Sequence, residues 1–422
     1  MSVPLDRLYN HLSGLCNHDV LIYRFLPHGS KNLKDLKPLY SAPWFQRMTS
    51  PVMICHDQEP LSFDAYTPDQ IVDSASWVEP ESFRHNLAQY HIRAATCSVL
   101  NAFDSMLLCH SEQNSAELAK FESTGLIGVY WWSHAAIAQD WFRHARIDPD
   151  ISYRPTLVSK DFLIYNRAWS GTREYRLKFA ESLVNNGLVD QCRTKFSAYD
   201  NGQHYQNHQY HNPVFELKRF DLEQCFEPNN ADSHASADYD RQDYRDCAME
   251  VVLETLYDDT RHHLTEKVLR PIACRKPFLL MSTPKSLQYL RRYGIKTFHE
   301  LIDESYDNIL DPADRMQAVV REMRRIADLP AKEKAQLWDE LDYICDYNQR
   351  LFFSDQWLDT VLREFADNFN AGIDRLVDTR SGQIYQQYCR AQSIDMLFDP
   401  EKQKYLEWLA KPLQSIPYCI KV

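Results

Sequence analysis

Glycine is scarce, at 10 residues in 422, and neither a G-x-G-x-x-G nor a G-x-x-x-x-G-K-[ST] pattern occurs. Dinucleotide fingerprints and P-loops are thereby removed as readings, so any bound phosphate must be gripped without a glycine loop. Long apolar runs are missing too: no stretch nears the roughly 18 residues of a membrane span. The N-terminal residues Met1 to Asn10 lack the basic and apolar regions of a signal peptide. The expectation is a protein that neither spans a membrane nor is secreted. The 11 cysteines include no C-x-x-C pair and sit in apolar surroundings such as Ile54-Cys55 and Leu108-Cys109. Reduced core thiols and a cytoplasmic location fit that usage. Basic charge is in deficit, 47 Lys and Arg against 59 Asp and Glu, and a net charge of −12 disfavours a sequence-independent grip on nucleic acid.

What the chain does have is core material. Hydrophobic residues make up 44% and aromatics 13%, enough for well-packed interiors, and 422 residues exceed the size at which one core keeps growing, so two domains are expected. Short apolar runs at Val20–Tyr23, Pro51–Cys55 and Ser105–Cys109 alternate with helical patterns and read as buried strands of a parallel α/β sheet. Ile147 to Lys160, with Pro149 and Pro155, breaks the pattern before a fresh strand at Phe162–Tyr165. This predicts an N-terminal α/β domain over 1–155 and a second over 160–353. Within the second, Glu250–Glu254 and Pro277–Met281 read as strands flanking a helix that starts near Thr265, and the polar stretch Asn229 to Asp246 reads as an exposed loop. From Pro312 the period is helical. Met316, Val319, Val320, Met323 and Ile326 share one face; Leu337, Leu341, Ile344 and Leu351 share another; and Ser354 or Asp355 caps a further helix with Trp357, Leu358, Val361, Leu362 and Phe365 inward. Residues 354–422 are expected to be helical.

Chemistry concentrates between Glu254 and Ala273. Thr265 precedes an apolar-periodic run and is a good N-cap, placing Glu266 and Lys267 in the first turn. A helix N-terminus offers free N–H groups and partial positive charge to a diphosphate, Lys267 adds a full charge, and the Glu266 carboxylate, acceptor-only when ionised, suits a ribose diol. The plain alternative is a capped amphipathic helix with a solvated lysine. Three weaker signals stand apart. His204, His208 and His211 have ligand-like spacing, but Asn207, Asn212 and Pro213 mark a loop. Asp238-Tyr239-Asp240 has the form D-x-D yet follows no strand. Tyr130-Trp131-Trp132-Ser133-His134 reads first as packing, with His134 a spare acid or base.

The segment Glu254 to Phe278, with Thr265-Glu266-Lys267, Arg270-Pro271-Ile272-Ala273 and Lys276-Pro277-Phe278, resembles the donor-binding motif of the α1,3-fucosyltransferase family and of a wider set of phage and bacterial glycosyltransferase-like sequences. The resemblance implies an α/β fold of GT-B type: two Rossmann-like domains, acceptor side first and donor side second, and C-terminal helices packing back on the first. It places Glu254, Thr265, Glu266 and Lys267 at the donor, with Glu266 on the ribose and Lys267 on the diphosphate. At Asn166-Arg167-Ala168-Trp169-Ser170-Gly171-Thr172-Arg173, where the family carries a phosphate-binding arginine, Arg167 is the first choice and Arg173 the second. His56-Asp57-Gln58-Glu59-Pro60 resembles the family's Glu-Ser-Pro, which makes Glu59 the base of an inverting transfer and Asp57 its reserve. That scheme requires no metal and no cofactor beyond the nucleotide-sugar donor. Glu254-Thr255-Leu256 stands where the family has Glu-Asn-Ser, and Arg270-Pro271 where it has Arg-Asn, so GDP-fucose is not implied. The acceptor is a surface glycan or lipopolysaccharide precursor, or, in a phage, a hydroxymethylated DNA base, for which the basic stretch Arg315, Arg321, Arg324, Arg325 would speak. The alternative is a non-catalytic protein that keeps the GT-B shell for binding or scaffolding.

Overall fold

The apolar runs form two separate five-stranded sheets. The computed structural model describes residues 21–25, 52–63, 75–77, 106–123, 126–148, 158–229 and 238–378, in two compact units: residues 1–133 with 361–422, and residues 134–360. The first unit's sheet comprises β1 (Leu21–Phe25), β2 (Val52–His56), β3 (Ala75–Trp77), β4 (Met106–His110) and β5 (Ile127–Tyr130), in the order β3-β1-β2-β4-β5. Its neighbours run parallel except for β3, an antiparallel edge on β1. Met53, Cys55, Leu107, Leu108 and Cys109 are all buried, the continuous burial that a sheet covered on both faces requires. After β4, Ser115 caps α1 (Ala116–Glu122) by accepting from the Leu118 N–H.

The chain passes into the second unit in α2 (Ser133–Trp141). There β6 (Lys160–Asn166) is followed by α3 (Tyr175–Asn185), β7 (Cys192–Phe196), a two-residue hairpin of β8 (Tyr199–Asp200) and β9 (Gln203–His204), α4 (Leu222–Cys225) and β10 (Glu227–Pro228). Then come α5 (Arg241–Asp246), β11 (Cys247–Leu253), α6 (Glu266–Ala273), β12 (Phe278–Met281) and α7 (Ser286–Arg292). The spatial order is β10-β7-β6-β11-β12 with every pair parallel. Counted along the chain within this sheet, the order reads 3-2-1-4-5. The chain builds outward from β6 through β7 to β10, then returns to the other side of β6 for β11. That reversal is the topological switch point of a doubly wound sheet, and ligands bind outside the carboxyl ends of the two strands that flank it.

Glu250 is the polar exception in the fully buried β11. Its carboxylate is taken by the Arg270 guanidinium and the Tyr244 hydroxyl, and Arg270 also lies 4.7 Å over the Tyr165 ring. A buried charge survives only when paired in this way.

The helical tail is α8 (Pro312–Ala327), α9 (Ala331–Phe352) and α10 (Asp355–Asp378). Asp311 caps α8 with Pro312 in its first turn, and all five apolar residues expected on its inner face are buried. In α9, Leu337 and Leu341 are buried while Ile344 and Leu351 are only partly covered. The Ser354 hydroxyl accepts from the Trp357 N–H, and Trp357, Val361, Leu362 and Phe365 are buried. Residues 361 onward belong to the first unit. The Phe365 ring meets Trp131 edge-on, the Asn368 amide donates to the Tyr130 carbonyl at 2.8 Å, and Arg375 pairs with Glu122. A Cβ on Gly372 would come within 3.0 Å of Val129, so glycine permits this close approach of α10.

The units divide earlier than the prolines implied. Residues 134–148 join the second unit because Gln139 donates to the Phe352 carbonyl, Arg241 pairs with Asp148 at 2.6 Å, and Phe142 meets Tyr239. Pro149 and Pro155 lie outside the described residues, as do residues 379–422 of the expected helical extension. The polar stretch 229–246 is not all loop. Residues 230–237 lie outside the description, but Asp240 caps α5, and buried Asp243 accepts from the Tyr165 hydroxyl. The signal was hidden because α5 has few apolar residues.

Candidate functional site

At the carboxyl ends of β6 and β11 the two flanking loops are stitched together. Asn166 donates to the Arg176 carbonyl, and the Arg176 guanidinium donates to Ala168 O (2.6 Å), Leu253 O (2.7 Å) and Glu254 O (2.9 Å). The Tyr175 hydroxyl adds a bond to Glu254 O, and Thr172 Oγ1 donates to Thr255 O at 2.9 Å. Asp200 fixes the β6 loop by accepting from the Trp169 and Ser170 N–H groups, and Gly171 takes the left-handed φ of +62° that the turn into α3 demands. Arg176 is thus a buried crosslink of the switch point.

The Thr265-Glu266-Lys267 turn differs from its expected role in one decisive respect. Glu254 is fully buried, and its carboxylate accepts from Thr265 N (3.1 Å), Thr265 Oγ1 (2.8 Å), Val268 N (3.3 Å) and Thr255 N (3.2 Å). The Thr265 hydroxyl in turn accepts from Lys267 N. An internal carboxylate therefore already sits on the α6 N-terminus, where charge–dipole attraction favours it. Glu266 is buried as well, 2.9 Å from Lys267 Nζ and 3.2 Å from His134 Nδ1, and the His134 ring stands edge-on to His263. Lys267 Nζ also reaches Thr265 Oγ1 (3.0 Å) and Thr255 Oγ1 (3.4 Å). Lys267 is partly covered and reaches the β11 loop; Glu266 is occupied in holding it.

Arg167 stands differently. Its guanidinium lies 4.9 Å over Tyr165 and donates one bond, from Nη2 to Asp238 O, while Nε and Nη1 are buried with no partner among the described residues. Burial, and the neighbouring Arg270 charge, lower its pKa from the ordinary value. A cation desolvated without its full set of acceptors favours an anion, and a planar guanidinium suits phosphate oxygens. Arg173 is partly exposed at the start of α3 and adds positive potential near Asp200.

Between the two switch-point loops lies a cavity of about 340 Å³, within the range of small-ligand sites. Gly171, Thr172, Glu174, His211, Tyr257 and Asp258 are among its walls, and neither Arg167 nor Lys267 is. Tyr257 is stacked on Tyr175 at 4.2 Å and supports the wall. Sequence reading passed over Glu174, Tyr257 and Asp258, which no local motif marks: they meet only because the sheet brings the loops after β6 and β11 together. Of the three spaced histidines, His204 pairs with Glu223, whereas His208 and His211 converge on Glu174. Asp240 of the D-x-D sequence is spent on capping α5.

In the first unit, Asp57 is buried. Its Oδ2 accepts from Trp131 Nε1 at 2.9 Å, and its carbonyl accepts from the Ser133 hydroxyl. Asp57 is thus engaged with the core through Oδ2, while Glu59 is partly exposed just beyond β2. Trp131 and Trp132 are fully buried, so the aromatic cluster is packing. A second cavity, of about 400 Å³, lies at the carboxyl ends of β4 and β5, with His110, Glu122, Tyr130, Asn368 and Arg375 in its walls.

His110 is buried, and burial, with His56 beside it, pushes its pKa down to about 3. The folded chain keeps this imidazole neutral, whereas the unfolded chain protonates it below about pH 6.5. As pH falls from 6.5 toward 3 the unfolded state binds the extra proton, so stability drops by up to about 1.4 kcal/mol per pH unit from this group. Urea midpoints at pH 7 and pH 4.5 should fall less for His110→Asn than for the parent chain; equal falls would show that His110 does not contribute.

Of the basic stretch on α8, three arginines are engaged and Arg321 is exposed. Arg315 is buried against the carbonyls of Tyr257, Ile309 and Leu310, Arg325 pairs with Glu322, and Arg324 lies near Asp328. Among the described residues no helix is long and apolar enough to cross a membrane, and the seven of the 11 cysteines that are described are free thiols, all but Cys225 buried.

These features define a mixed α/β protein built on parallel sheets, with a polar and aromatic cavity at the switch point of the second. Compared with known proteins, the chain matches no family model and no curated protein.

Proposed function

We propose that this chain is a nucleotide-sugar-dependent glycosyltransferase of GT-B type, with its donor bound by the second unit. The observation that carries the reading is the all-parallel 3-2-1-4-5 sheet with a cavity at its switch point, the arrangement in which doubly wound sheets bind nucleotides. The buried Tyr257 and Phe215 rings close the cavity wall, and the exposed Asp258 carboxylate suits the ribose hydroxyls, the role first expected of Glu266. Arg167 supplies the anion-seeking guanidinium, and Lys267 a second cation. Both would stabilise charge developing on the departing diphosphate. Glu59 is the base that takes the acceptor hydroxyl's proton. The engagement of Arg315, Arg324 and Arg325 on α8 weighs toward a glycan acceptor over DNA.

Incubation with UDP-, GDP-, CDP- and ADP-sugars, with release of the nucleoside diphosphate as readout, tests the reading. One donor should turn over, and Glu59→Gln should slow turnover by about 10²–10⁴-fold while leaving donor affinity unchanged. Binding without turnover in the parent chain, with any acceptor, would instead favour a binding or scaffolding protein.

A further inference from the structure

Three potential metal ligands converge on the wall of the switch-point cavity, though only two of them, His208 and His211, are near each other in sequence. Glu174 Oε1 lies 2.9 Å from His208 Nε2 and 2.8 Å from His211 Nδ1, and one ligand atom from each residue lies within 4.8 Å of the others. Glu174 and His211 line the cavity, the His211 side chain is 80% exposed, and the Glu174 side chain is 4% exposed. We propose that Glu174, His208 and His211 form a site for a divalent transition metal of the zinc, manganese or ferrous class, open toward the cavity.

The donor set carries the assignment. Two imidazoles with one carboxylate select borderline metals over magnesium or calcium, which prefer oxygen alone. Three protein ligands also leave coordination positions for water or an incoming oxygen. Supporting bonds hold the ligands in place. Glu174 accepts from the backbone N–H groups of His211 (2.8 Å) and Asn212 (3.1 Å), which fixes its carboxylate, and the His208 ring is wedged edge-on between Trp169 and Tyr210. Such orienting contacts are what a metal ligand needs. Without metal, the two imidazoles satisfy the same carboxylate by hydrogen bonding; the ion replaces their shared protons with its own charge.

The cavity's electrostatics give the ion a use. Glu174 and Asp258 make its wall acidic, Asp259 being paired with Arg261, and a diphosphate approaching it meets repulsion unless a cation intervenes. This use rests on the nucleotide reading, whereas metal binding itself does not. It also departs from the expectation that no metal takes part.

The test is titration of chelator-stripped full-length protein with Zn²⁺ and Co²⁺ alone, by calorimetry and by the visible absorption of bound Co²⁺. One ion per chain is expected, with affinity lowered about 10- to 100-fold or more in His211→Ala and unchanged in His204→Ala. The exposure of His211 makes its variant safe for folding, and circular dichroism checks this. Absence of binding, or equal binding by His211→Ala, would overturn the site. Nucleoside diphosphate titrations with and without the metal then separate the two readings: metal binding with no nucleotide effect retains the site and removes its assigned use.

Discussion

Glu254→Ala should destabilise the second unit by at least about 3 kcal/mol. The carboxylate serves four donors in the interior, the N–H groups of Thr255, Thr265 and Val268 and the Thr265 hydroxyl, and each buried donor left unpaired costs about 1–3 kcal/mol. The contributions do not add in full, because the first turn of α6 can fray and admit water. Glu254→Gln, which keeps one acceptor oxygen, should lose markedly less. Chemical denaturation with an unchanged m-value is the measurement. A loss below 1 kcal/mol for the alanine variant would mean that Glu254 is not the anchor of the turn, and would return the α6 N-terminus to the list of open anion seats.

The second large effect is on the ligand. Arg167→Ala should weaken binding of the nucleoside diphosphate about 10- to 100-fold, since a charge-assisted bond to phosphate contributes about 1.5–3 kcal/mol. Removing a half-buried cation whose Nε and Nη1 have no acceptor among the described residues should not destabilise the fold, because no satisfied network is broken. That combination, affinity lost and stability kept, separates Arg167 from Arg176, whose removal breaks three bonds to backbone carbonyls. If Arg167→Ala binds as the parent does, the phosphate lies elsewhere.

The strands were legible because both sheets are parallel and buried. Apolar runs such as Phe162-Leu163-Ile164-Tyr165 and Val251-Val252-Leu253 have no other stable use in a chain of this composition. Helix faces were legible where periodicity was strong, as in α8, and α5 was missed because capping and two buried residues, Asp243 and Tyr244, hold it together with no apolar period. The same limit applies to the site. The N-cap role of Thr265 could be read locally, and it holds. That Glu254 would bond the turn rather than a donor nucleotide depends on how β11 and α6 pack, which joins Glu254 to Thr265, eleven residues on. Strand order is likewise invisible in a linear reading: that β11 lies beside β6, and so brings Tyr257 and Asp258 to Gly171 and Glu174, is a fact of topology.

The central claim, a nucleotide-sugar donor at the switch point of the second sheet, is tested most directly by thermal unfolding of the full chain with UDP, GDP, CDP and ADP and their sugars. A ligand at 100 times its Kd adds about 2.7 kcal/mol, so one nucleotide should raise the midpoint by about 5 °C or more, with the other bases well below it. A panel in which no nucleotide moves the midpoint would contradict the account.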